Sequence, residues 1–486
     1  MKLAELLRDA PVRAAQGALD VDITSVTPDS RLVRDGALFV AIPGTAKDGT
    51  AFIPQAIEKG AAAIVATDAV DDRAKATIVV DDPRAALALL AANFYGRPAE
   101  KLSLVGITGT SGKTTSSRMV ESIFDAGSEP VGLIGTIEYR AGDERLVADR
   151  TTPDAVVLQE WFAKMVDAGV HHAVMEVSSH ALALKRTYGI HFAAAVFTNL
   201  SREHFDFHKD FEDYFAAKKI LFTQIDRSRQ TAVVNIDDEY GRRLANELGP
   251  VAMTFGRNAD ADLHPADGFV ISVDGLHGTV VTPRGDIRIA SRLLGLPNLY
   301  NWLGAIGAAL IVGIPVETIE AGIRNLTSVR GRFERVAAEN GPTVIVDYAH
   351  KPDALEKLLH AVREIAGTRR VSLVFGCGGD RDRGKRPEMG AIAARLADNI
   401  IVTSDNPRSE EPRAIIEEIT KGIAGKEYLA IADRREAIAK TIAEALPDDV
   451  IVIAGKGHET YQVVGDQVIH FDDREEAELA LKKRHA

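Results

Sequence analysis

Short runs of β-branched and apolar residues recur along the chain, and many are followed by a polar or glycine-rich turn and a helical pattern. This alternation is typical of parallel sheets with crossover helices. It therefore predicts an α/β protein. The predicted strands are residues 38–42, 62–66 and 77–80, then 102–108, 173–177, 193–199 and 231–235, then 343–347, 371–376, 399–404 and 450–455.

The length of 486 residues predicts about three domains, because one domain usually holds ~100–200 residues. Arg97-Pro98 and the charged residues that follow them mark the first boundary, and the second lies close to Gly331. We predict a small α/β N-terminal domain (1–98), a central domain built on a parallel sheet (99–328) and a Rossmann-like α/β domain (329–486).

The composition of the chain argues against several classes of protein. A net charge of −12 argues against a general nucleic-acid binder, which normally has a basic face. The single cysteine, Cys377, excludes an internal disulfide, suits a reducing cytosol and is predicted to be a small core or loop residue. No signal-peptide pattern and no apolar run of ~18 residues is present. These features predict a cytoplasmic monomer that binds small molecules and neither nucleic acid nor membrane.

Unusual residues cluster just after the predicted strands of the second and third groups. GTSGKTT follows residue 108, SSH follows 177 and DNPR follows the strand that begins at 399. Ligands of open α/β sheets bind beyond the carboxyl ends of the strands. Two active-site halves are therefore predicted, one in each of these groups.

The first of these segments predicts a phosphate-binding loop. Small residues let backbone N–H groups approach phosphate oxygens, and the following helix adds partial positive charge. Lys113 would reach the β- and γ-phosphates, and Thr114 would hold Mg²⁺. The strict pattern requires glycine where Ile107 stands, so the loop is a variant, and the alternative is a glycine-rich turn with a surface lysine. The predicted contacts are Gly109, Thr110, Ser111, Gly112, Lys113, Thr114 and Thr115.

The variant loop, of the form TGT-x-GKTT, resembles that of the Mur ligase family, and the resemblance covers all three groups of strands. It implies an ATP-dependent carboxylate–amine ligase that uses Mg²⁺ in peptidoglycan precursor synthesis. Such an enzyme would serve cell-wall biogenesis and, through it, cell shape and division.

Glu176, His204 and Lys218 form an unusual candidate metal set, because an ammonium group repels Mg²⁺. The resemblance implies that Lys218 is carbamylated to N6-carboxylysine, which would bind magnesium together with Thr114, Glu176 and His204. From the residues alone, Glu176 is equally a helix-capping acid, His204 a core histidine and Lys218 a solvated lysine. Lys219 is the neighbouring alternative.

The resemblance also implies residues for the rest of the nucleotide. Arg332 has a planar fork suited to phosphate or ribose oxygens. His350 is equally a loop histidine that makes one backbone hydrogen bond. The implied nucleotide contacts are Asn298, Asn301, Arg332, Asp347 and His350.

A UDP-muramoyl-dipeptide is the implied acceptor. Hydroxyl groups serve sugar and carboxylate oxygens, and an arginine can bind a carboxylate with two hydrogen bonds. Arg150 and Leu184 stand where relatives have asparagine and, in some members, glutamine. The implied contacts are Ser30, Thr45, Ala46 and Lys47 for the uridine diphosphate, and Thr151, Thr152, Ser178 and Arg186 for the dipeptide sugar.

The segment Asp405-Asn406-Pro407-Arg408 bears on the amino-acid substrate. In the family this DNPR segment marks addition of meso-diaminopimelate. A pocket for this amino acid needs a cation for its distal carboxylate and an acid for an ammonium. The alternative is a type I turn with an exposed arginine. The predicted pocket contains Arg381, Asp405, Asn406, Pro407, Arg408, Gly455 and Glu459.

These residues predict a reaction through an acyl phosphate on the acceptor carboxylate, which the amine of diaminopimelate attacks. Folylpolyglutamate synthetase shares the loop, but the 100-residue first block and the DNPR segment argue against it. A regulatory P-loop NTPase is the alternative from another class. It would release phosphate without an amino acid or a nucleotide-sugar.

Overall fold

The computed structural model describes residues 1–44, 48–68, 73–336 and 341–484. The chain divides into two compact units. The first contains residues 1–263 and 303–319, and the second contains residues 264–302 and 320–486. The division into three domains at residues 98 and 328 stays a prediction.

The first unit begins with a five-stranded sheet. Its first neighbouring pair is antiparallel and the others are parallel. Residues of the inner strands are buried on both faces, as expected for short apolar runs. In spatial order the strands are Val12–Gly17, Ala76–Val80, Ala63–Ala66, Ala37–Val40 and Ser25–Thr27.

An eight-stranded sheet follows in the same unit. Its first six strands are parallel and its last two form an antiparallel hairpin. Thr108 pairs with Phe197 and Ile107 with Glu176, so the carboxyl ends of three strands lie at one edge. In spatial order the strands are Ala252–Phe255, Ala232–Asn235, Ala194–Phe197, Ser103–Thr108, His172–Glu176, Val131–Ile134, Glu138–Ala141 and Glu144–Val147.

Aspartates begin several helices of the first unit by accepting backbone N–H groups, as N-cap residues do. The α-helices are Leu3–Leu6, Ile53–Glu58, Pro83–Phe94, Lys113–Asp125, Ala155–Asp167, Ser179–Ala183, Phe211–Lys219 and Glu239–Leu248. Short 3₁₀ turns are Gly49–Phe52, Pro98–Lys101, Ile220–Thr223 and Gly249–Val251.

Asp82 is the N-cap whose loss we expect to be measurable. Its Oδ1 accepts the N–H groups of Arg84 and Ala85 at 2.9 and 3.0 Å, and its Oδ2 is paired with Lys185. Asp82→Ala should lower the free energy of unfolding by about 0.5–2 kcal/mol, measured by urea denaturation. Asp82→Asn keeps the cap and should lose much less. Equal losses in the two variants would show that the ion pair is the main contribution.

The second unit contains a mixed six-stranded sheet. Its first pair is antiparallel and the rest are parallel. Asp347 and Phe375 both pair with Ala454, which aligns the carboxyl ends of three strands. In spatial order the strands are Glu334–Val336, Thr343–Asp347, Val450–Ala454, Val371–Phe375, Asn399–Val402 and Leu429–Ala430.

Two antiparallel elements complete the second unit. One is a four-stranded sheet formed by His264–Pro265, Val270–Ser272, Gly275–Val281 and Ile287–Ser291, and the other is the hairpin Tyr461–Val464 with Gln467–His470. The helices of this unit are Pro352–Ala366, Lys385–Leu396, Pro412–Thr420, Arg434–Glu444 and Asp473–Arg484. Two further helices, Leu296–Ile311 and Val316–Asn325, belong partly to each unit.

A buried ion pair fixes two strand ends of the second unit. Arg434 and Asp473 are 0% exposed and form two hydrogen bonds of 2.7 Å. The same guanidinium donates to the carbonyl oxygens of Ser404 and Ala454 at 3.2 and 3.0 Å. The residues that follow these two carbonyls belong to the predicted amino-acid pocket.

The predicted α/β class is confirmed. All eleven predicted strands are present, each within two residues of its predicted limits. No helix in the described ranges is both long enough and apolar enough to cross a membrane.

Candidate active site

The predicted phosphate-binding loop lies between the strand Ser103–Thr108 and the helix Lys113–Asp125. Gly109 and Gly112 have φ values of 151° and 87°. A Cβ on Gly109 would lie 1.8 Å from Thr198 Oγ1. Only glycine combines that backbone with that contact, so the sequence here is dictated by the shape of the loop.

Lys113 folds back over this loop. Its Nζ donates to the carbonyl oxygens of Gly109 and Thr110 at 2.9 Å each. Asn199 holds the loop from the next strand end, because its Oδ1 accepts the N–H of Ser111 at 3.0 Å and its carbonyl accepts that of Thr110 at 2.8 Å. The predicted phosphate residues are thus consecutive: residues 109–112 form the loop, and residues 113–115 form the first turn of the helix.

Thr114 and Glu176, two of the predicted metal ligands, are in direct contact. Thr114 Oγ1 donates to Glu176 Oε2 at 2.9 Å, and Glu176 is only 1% exposed. Thr136 donates its N–H to Oε1 at 2.7 Å and its hydroxyl to Oε2 at 2.9 Å. A hydroxyl beside a carboxylate is the kind of oxygen donor set that fits Mg²⁺.

Lys218 is buried against the same loop. Its Nζ donates to the carbonyl of Gly109 at 2.7 Å and lies 4.4 Å from the centre of the Tyr214 ring. Burial lowers the pKa of Lys218 well below its usual value, and the nearby Lys113 lowers it further. The lowered pKa favours the neutral amine, which is the form that can react with CO₂.

His204 lies in an aromatic cluster. Its φ is 59°, and its ring lies 4.8 Å from that of His180 and 6.1 Å from that of Tyr214. Within the described residues, no three His, Cys, Asp or Glu side chains are grouped so as to hold a metal ion. The structure therefore joins two members of the predicted set, Thr114 and Glu176, whereas a ligand role for His204 stays a prediction.

The predicted acceptor residues converge next to Glu176. Thr152 Oγ1 donates to the carbonyl of Glu176 at 2.8 Å and accepts the N–H of Ser178 at 3.1 Å. Arg186 Nη1 donates to the carbonyl of Thr152 at 2.6 Å. Thr151 is connected to Glu176 through the hydroxyl of Thr136, 3.1 Å away. These residues place polar groups for an acceptor within the same unit as the phosphate loop.

A cavity of about 690 Å³ adjoins these residues. Its walls come from loops and helices among residues 28–87 and from residues between 150 and 186. Ser30 lines it, is 7% exposed and donates to Gln55 Oε1 at 2.8 Å. The volume lies in the range of ligand pockets, ~300–1,000 Å³. Thr45, Ala46 and Lys47 lie outside the described residues.

The cavity carries an excess of positive charge. Two of its cations, Arg31 and Lys185, are paired with aspartates. The other three form no ion pair within the described part of the chain. Burial lowers the pKa of Arg186, and repulsion from Arg150 and Arg84 lowers it further. An anion such as a diphosphate would relieve this repulsion. The five lining cations are Arg31, Arg84, Arg150, Lys185 and Arg186.

In the second unit, Asn298 and Asn301 lie one turn apart on the helix Leu296–Ile311. Asn301 Nδ2 donates to Asn298 Oδ1 at 3.2 Å, and Asn298 Nδ2 donates to the carbonyl of Leu294 at 2.8 Å. Both side chains are buried. The two amides hold each other in place, and their contact with a nucleotide stays a prediction.

Arg332 lies over an aromatic ring. Its guanidinium carbon is 4.9 Å from the centre of the Tyr348 ring, and its buried Nε has no hydrogen-bond partner among the described residues. His458 lies on the same ring, with 4.9 Å between ring centres. Burial lowers the pKa of His458 to about 4, and Arg332 contributes in the same direction. The unsatisfied guanidinium N–H fits the predicted role of Arg332 as a donor to a nucleotide.

Asp347 and His350 stabilise the backbone at one end of this sheet. The carboxylate of Asp347 accepts the N–H groups of Phe333 and Ala349 at 2.7 and 2.8 Å. His350 Nδ1 lies 2.9 Å from the carbonyl of Tyr348. This is the single backbone contact considered as the alternative for His350. Nucleotide contacts of both residues stay predictions.

The DNPR segment is held by the hairpin that follows residue 460. The N–H of Arg408 donates to the carbonyl of Val463 at 3.0 Å, and its carbonyl accepts the N–H of Gly465 at 2.7 Å. Arg408 has a φ of 50°, and its Nη1 donates to the carbonyl of Gly379 at 2.8 Å. Pro407 is buried, and its carbonyl accepts the N–H of Glu410 at 3.0 Å.

The acids of the predicted pocket lie beside this turn. Asp405 is 6% exposed, and a Cβ on Gly455 would lie 2.9 Å from its Oδ2. Glu459 Oε2 accepts a hydrogen bond from Asn406 Nδ2 at 3.0 Å. Arg381 is exposed and donates to the carbonyl of Asp380 at 3.1 Å. The pocket therefore combines two carboxylates with the guanidinium of the DNPR turn.

Three family profiles match the chain in succession. They are the Mur ligase family, catalytic domain, at residues 22–95, the Mur ligase middle domain at 107–309, and the Mur ligase, glutamate ligase domain, at 331–457. The chain belongs to the Mur ligase family.

Relatives of this Mur ligase match over the whole length. A protein of Gloeobacter violaceus named UDP-N-acetylmuramoyl-L-alanyl-D-glutamate–2,6-diaminopimelate ligase is 47% identical over 490 residues, with 100% of this chain and 99% of the relative covered. A protein of the same name from Geobacter metallireducens is 45% identical over 506 residues, covering 99% of each. A solved structure titled as this ligase has a TM-score of 0.75 at 31% identity, covering 100% of this Mur ligase and 99% of that chain.

Several residues of this Mur ligase escaped the sequence analysis. Thr136 and Tyr214 contact predicted site residues across 40 and 104 positions of sequence. Arg84 and Lys456 were also missed, because the sequence alone does not distinguish them from lysines and arginines on the surface. Cys377 is buried, and burial raises the pKa of its thiol to about 12, which agrees with the predicted small core residue.

Proposed function

We propose that this Mur ligase uses ATP to join meso-diaminopimelate to UDP-N-acetylmuramoyl-L-alanyl-D-glutamate in the cytoplasm. The observation that carries the proposal is the charge pattern after the strands Asn399–Val402 and Val450–Ala454. The guanidinium of Arg408 and the carboxylates of Asp405 and Glu459 are the groups that the far end of diaminopimelate requires. Full-length relatives that bear the corresponding enzyme name support it.

The reaction that we propose begins with transfer of the γ-phosphoryl group of ATP to the side-chain carboxylate of the D-glutamyl residue. Lys113 and the loop N–H groups would hold the phosphates and stabilise charge as the bond to ADP breaks. The neutral amine of diaminopimelate then attacks the acyl carbon and loses a proton. Phosphate leaves, and an amide remains.

Magnesium belongs to this proposal. Thr114 and Glu176 would hold it, since their oxygens are 2.9 Å apart in the loop that would bind phosphate. When bound, it would supply neutralisation of phosphate charge. Lys218 would join them once carbamylated, which converts its ammonium into a carboxylate.

The reaction is tested by measuring ADP release from ATP. We expect release only when UDP-muramoyl-dipeptide and meso-diaminopimelate are both present. Release without either reactant would favour a regulatory NTPase, and release with a folate and glutamate would favour a folylpolyglutamate synthetase.

The acyl phosphate is tested by isotope tracing. With ¹⁸O in the acceptor carboxylate, one labelled oxygen should appear in phosphate. Unlabelled phosphate would contradict the acyl phosphate.

Arg150 is expected to contribute to binding of the nucleotide-sugar. It lines the cavity, and its positive charge lies close to Arg186. Because a charge-assisted hydrogen bond contributes ~1.5–3 kcal/mol, Arg150→Ala should weaken binding of the UDP-muramoyl-dipeptide by about tenfold or more. Isothermal titration calorimetry measures this directly. Arg242→Ala, which removes an exposed arginine paired with Asp260, is the control and should bind normally. Unchanged affinity of Arg150→Ala would contradict the assignment.

A further inference from the structure

Lys456 is a buried cation inside the amino-acid pocket. It follows the strand Val450–Ala454, and its side chain is 0% exposed. Its Nζ donates to Asn406 Oδ1 at 3.1 Å and to Glu459 Oε2 at 3.4 Å, and it lies 3.8 Å from Asp405 Oδ1. One ammonium group of the protein therefore lies beside both carboxylates that could receive an ammonium of the substrate, and it also contacts the amide of Asn406.

The amide of Asn406 makes three hydrogen bonds in this arrangement. Its Oδ1 accepts from Lys456 and also from the N–H of Val463 at 3.0 Å. Its Nδ2 donates to Glu459 Oε2 at 3.0 Å. Asn406 thus connects Lys456, Glu459 and the hairpin into one network. A shift of Lys456 would remove one hydrogen bond from Asn406 and one from Glu459.

Buried charges need partners, because removing an ion from water is costly. Burial lowers the pKa of Lys456, while Asp405 and Glu459 favour its charged form. The ion cluster of Lys456, Asp405 and Glu459 has one more negative than positive charge. Arg408 belongs to the same turn as Asp405, and the four charges of Lys456, Arg408, Asp405 and Glu459 sum to zero. Arg381, the remaining charged residue of the predicted pocket, is exposed, so water and salt screen its charge.

We propose that Lys456 is a positioning and specificity-determining residue, which holds Glu459 and Asn406 in place and makes the pocket neutral, so that it favours a zwitterionic amino-acid end over a lone ammonium. This inference rests on the proposed function. Diaminopimelate presents an ammonium and a carboxylate at its far end, with no net charge. Lysine presents only an ammonium, with one positive charge. Because Lys456 already contacts both carboxylates and offsets one of them, a lone substrate ammonium meets no net negative charge that would compensate its own, whereas a zwitterionic end adds no net charge.

The charge argument predicts opposite effects for substitutions of opposite sign. Lys456→Met keeps the length of the side chain and removes the cation, which leaves a net negative pocket. Glu459→Gln removes an anion and leaves a net positive one. A purely structural role predicts instead that each change lowers the use of both amino acids by the same factor.

The experiment compares kcat/KM for meso-diaminopimelate with kcat/KM for lysine, or with the inhibition constant of lysine where turnover is too slow. In Lys456→Met we expect at least about a tenfold loss with diaminopimelate and a shift of about tenfold in the ratio toward lysine, which corresponds to ~1.4 kcal/mol. In Glu459→Gln the ratio should shift away from lysine and toward diaminopimelate. KM values for ATP and for the nucleotide-sugar should stay unchanged in both.

Two controls accompany the test. Lys440→Met removes an exposed lysine of the same unit, paired with Glu444, and should leave the ratio unchanged. If Lys456→Met does not fold, Lys456→Gln replaces it. Glu459→Gln still tests whether the ratio of kcat/KM values changes in the direction that the charge argument predicts. Equal losses for both amino acids would overturn the proposal. Wild-type enzyme that does not use diaminopimelate would overturn the proposed function instead, and this is seen before any variant is made.

Discussion

Lys218→Met is expected to lower kcat by about 10²–10³-fold, the range seen when one group that stabilises a transition state is removed. KM for diaminopimelate should change little, because Lys218 belongs to the loop that would bind phosphate. The measurement is ADP release at saturating substrates.

The expectation follows from the surroundings of Lys218. The amine is 1% exposed, and its pKa is lowered well below the usual value, first by burial and then by Lys113. A neutral amine can attack the carbon of CO₂ and lose one proton, which leaves a carbamate. Because protonation blocks this attack, the carbamate should be lost as the pH falls. A ¹³C signal of a carbamate should therefore appear after addition of ¹³C-bicarbonate and fade in acid.

The neighbouring lysine provides a matched control. Lys219 is half-buried and paired with Glu247. Lys219→Met should retain nearly all activity and the carbamate signal, whereas Lys218→Met should lose both. Wild-type activity in Lys218→Met, or a carbamate signal that disappears in Lys219→Met alone, would contradict the assignment.

The parallel strands were predictable because they are buried on both faces. A strand such as Val450–Ala454 has no exposed position, so its sequence is an unbroken apolar run. The hairpins were not predicted. In Gln467–His470 every residue is exposed, and such a strand has no apolar pattern to detect. Strands that form the core can therefore be predicted from sequence more readily than exposed strands that only support a site.

The same limit applies to the site. The phosphate loop could be predicted because its residues are consecutive and each has a local reason to be there. Glu176 and Thr136 are 40 positions apart, and their contact depends on the pairing of strands. Lys456 looks like any lysine in the sequence, and its role depends on Asn406, 50 positions earlier. Contacts of this kind become visible only in the folded chain.

The turn that contains Arg408 is built to present a fixed guanidinium. Its backbone is joined to the hairpin through Val463 and Gly465, and Nη1 is held by the carbonyl of Gly379 at 2.8 Å. A Cβ on Gly378 would lie 2.9 Å from that nitrogen, so the glycine leaves room for the side chain. A guanidinium held in this way loses little freedom when it binds a carboxylate with two hydrogen bonds.

Arg408→Ala is therefore expected to raise KM for meso-diaminopimelate by tens- to a thousandfold, because truncating one partner of a buried charge pair costs ~2–5 kcal/mol. Arg408→Lys keeps the positive charge but not the planar fork, so its KM for meso-diaminopimelate should lie between those of the wild type and Arg408→Ala. Lysine lacks the distal carboxylate, so its KM or inhibition constant should change much less. Steady-state kinetics with both amino acids measures the difference. Arg413→Ala, an exposed arginine of the next helix, is the control. Equal losses for diaminopimelate and lysine would mean that Arg408 supports the turn and does not bind the carboxylate.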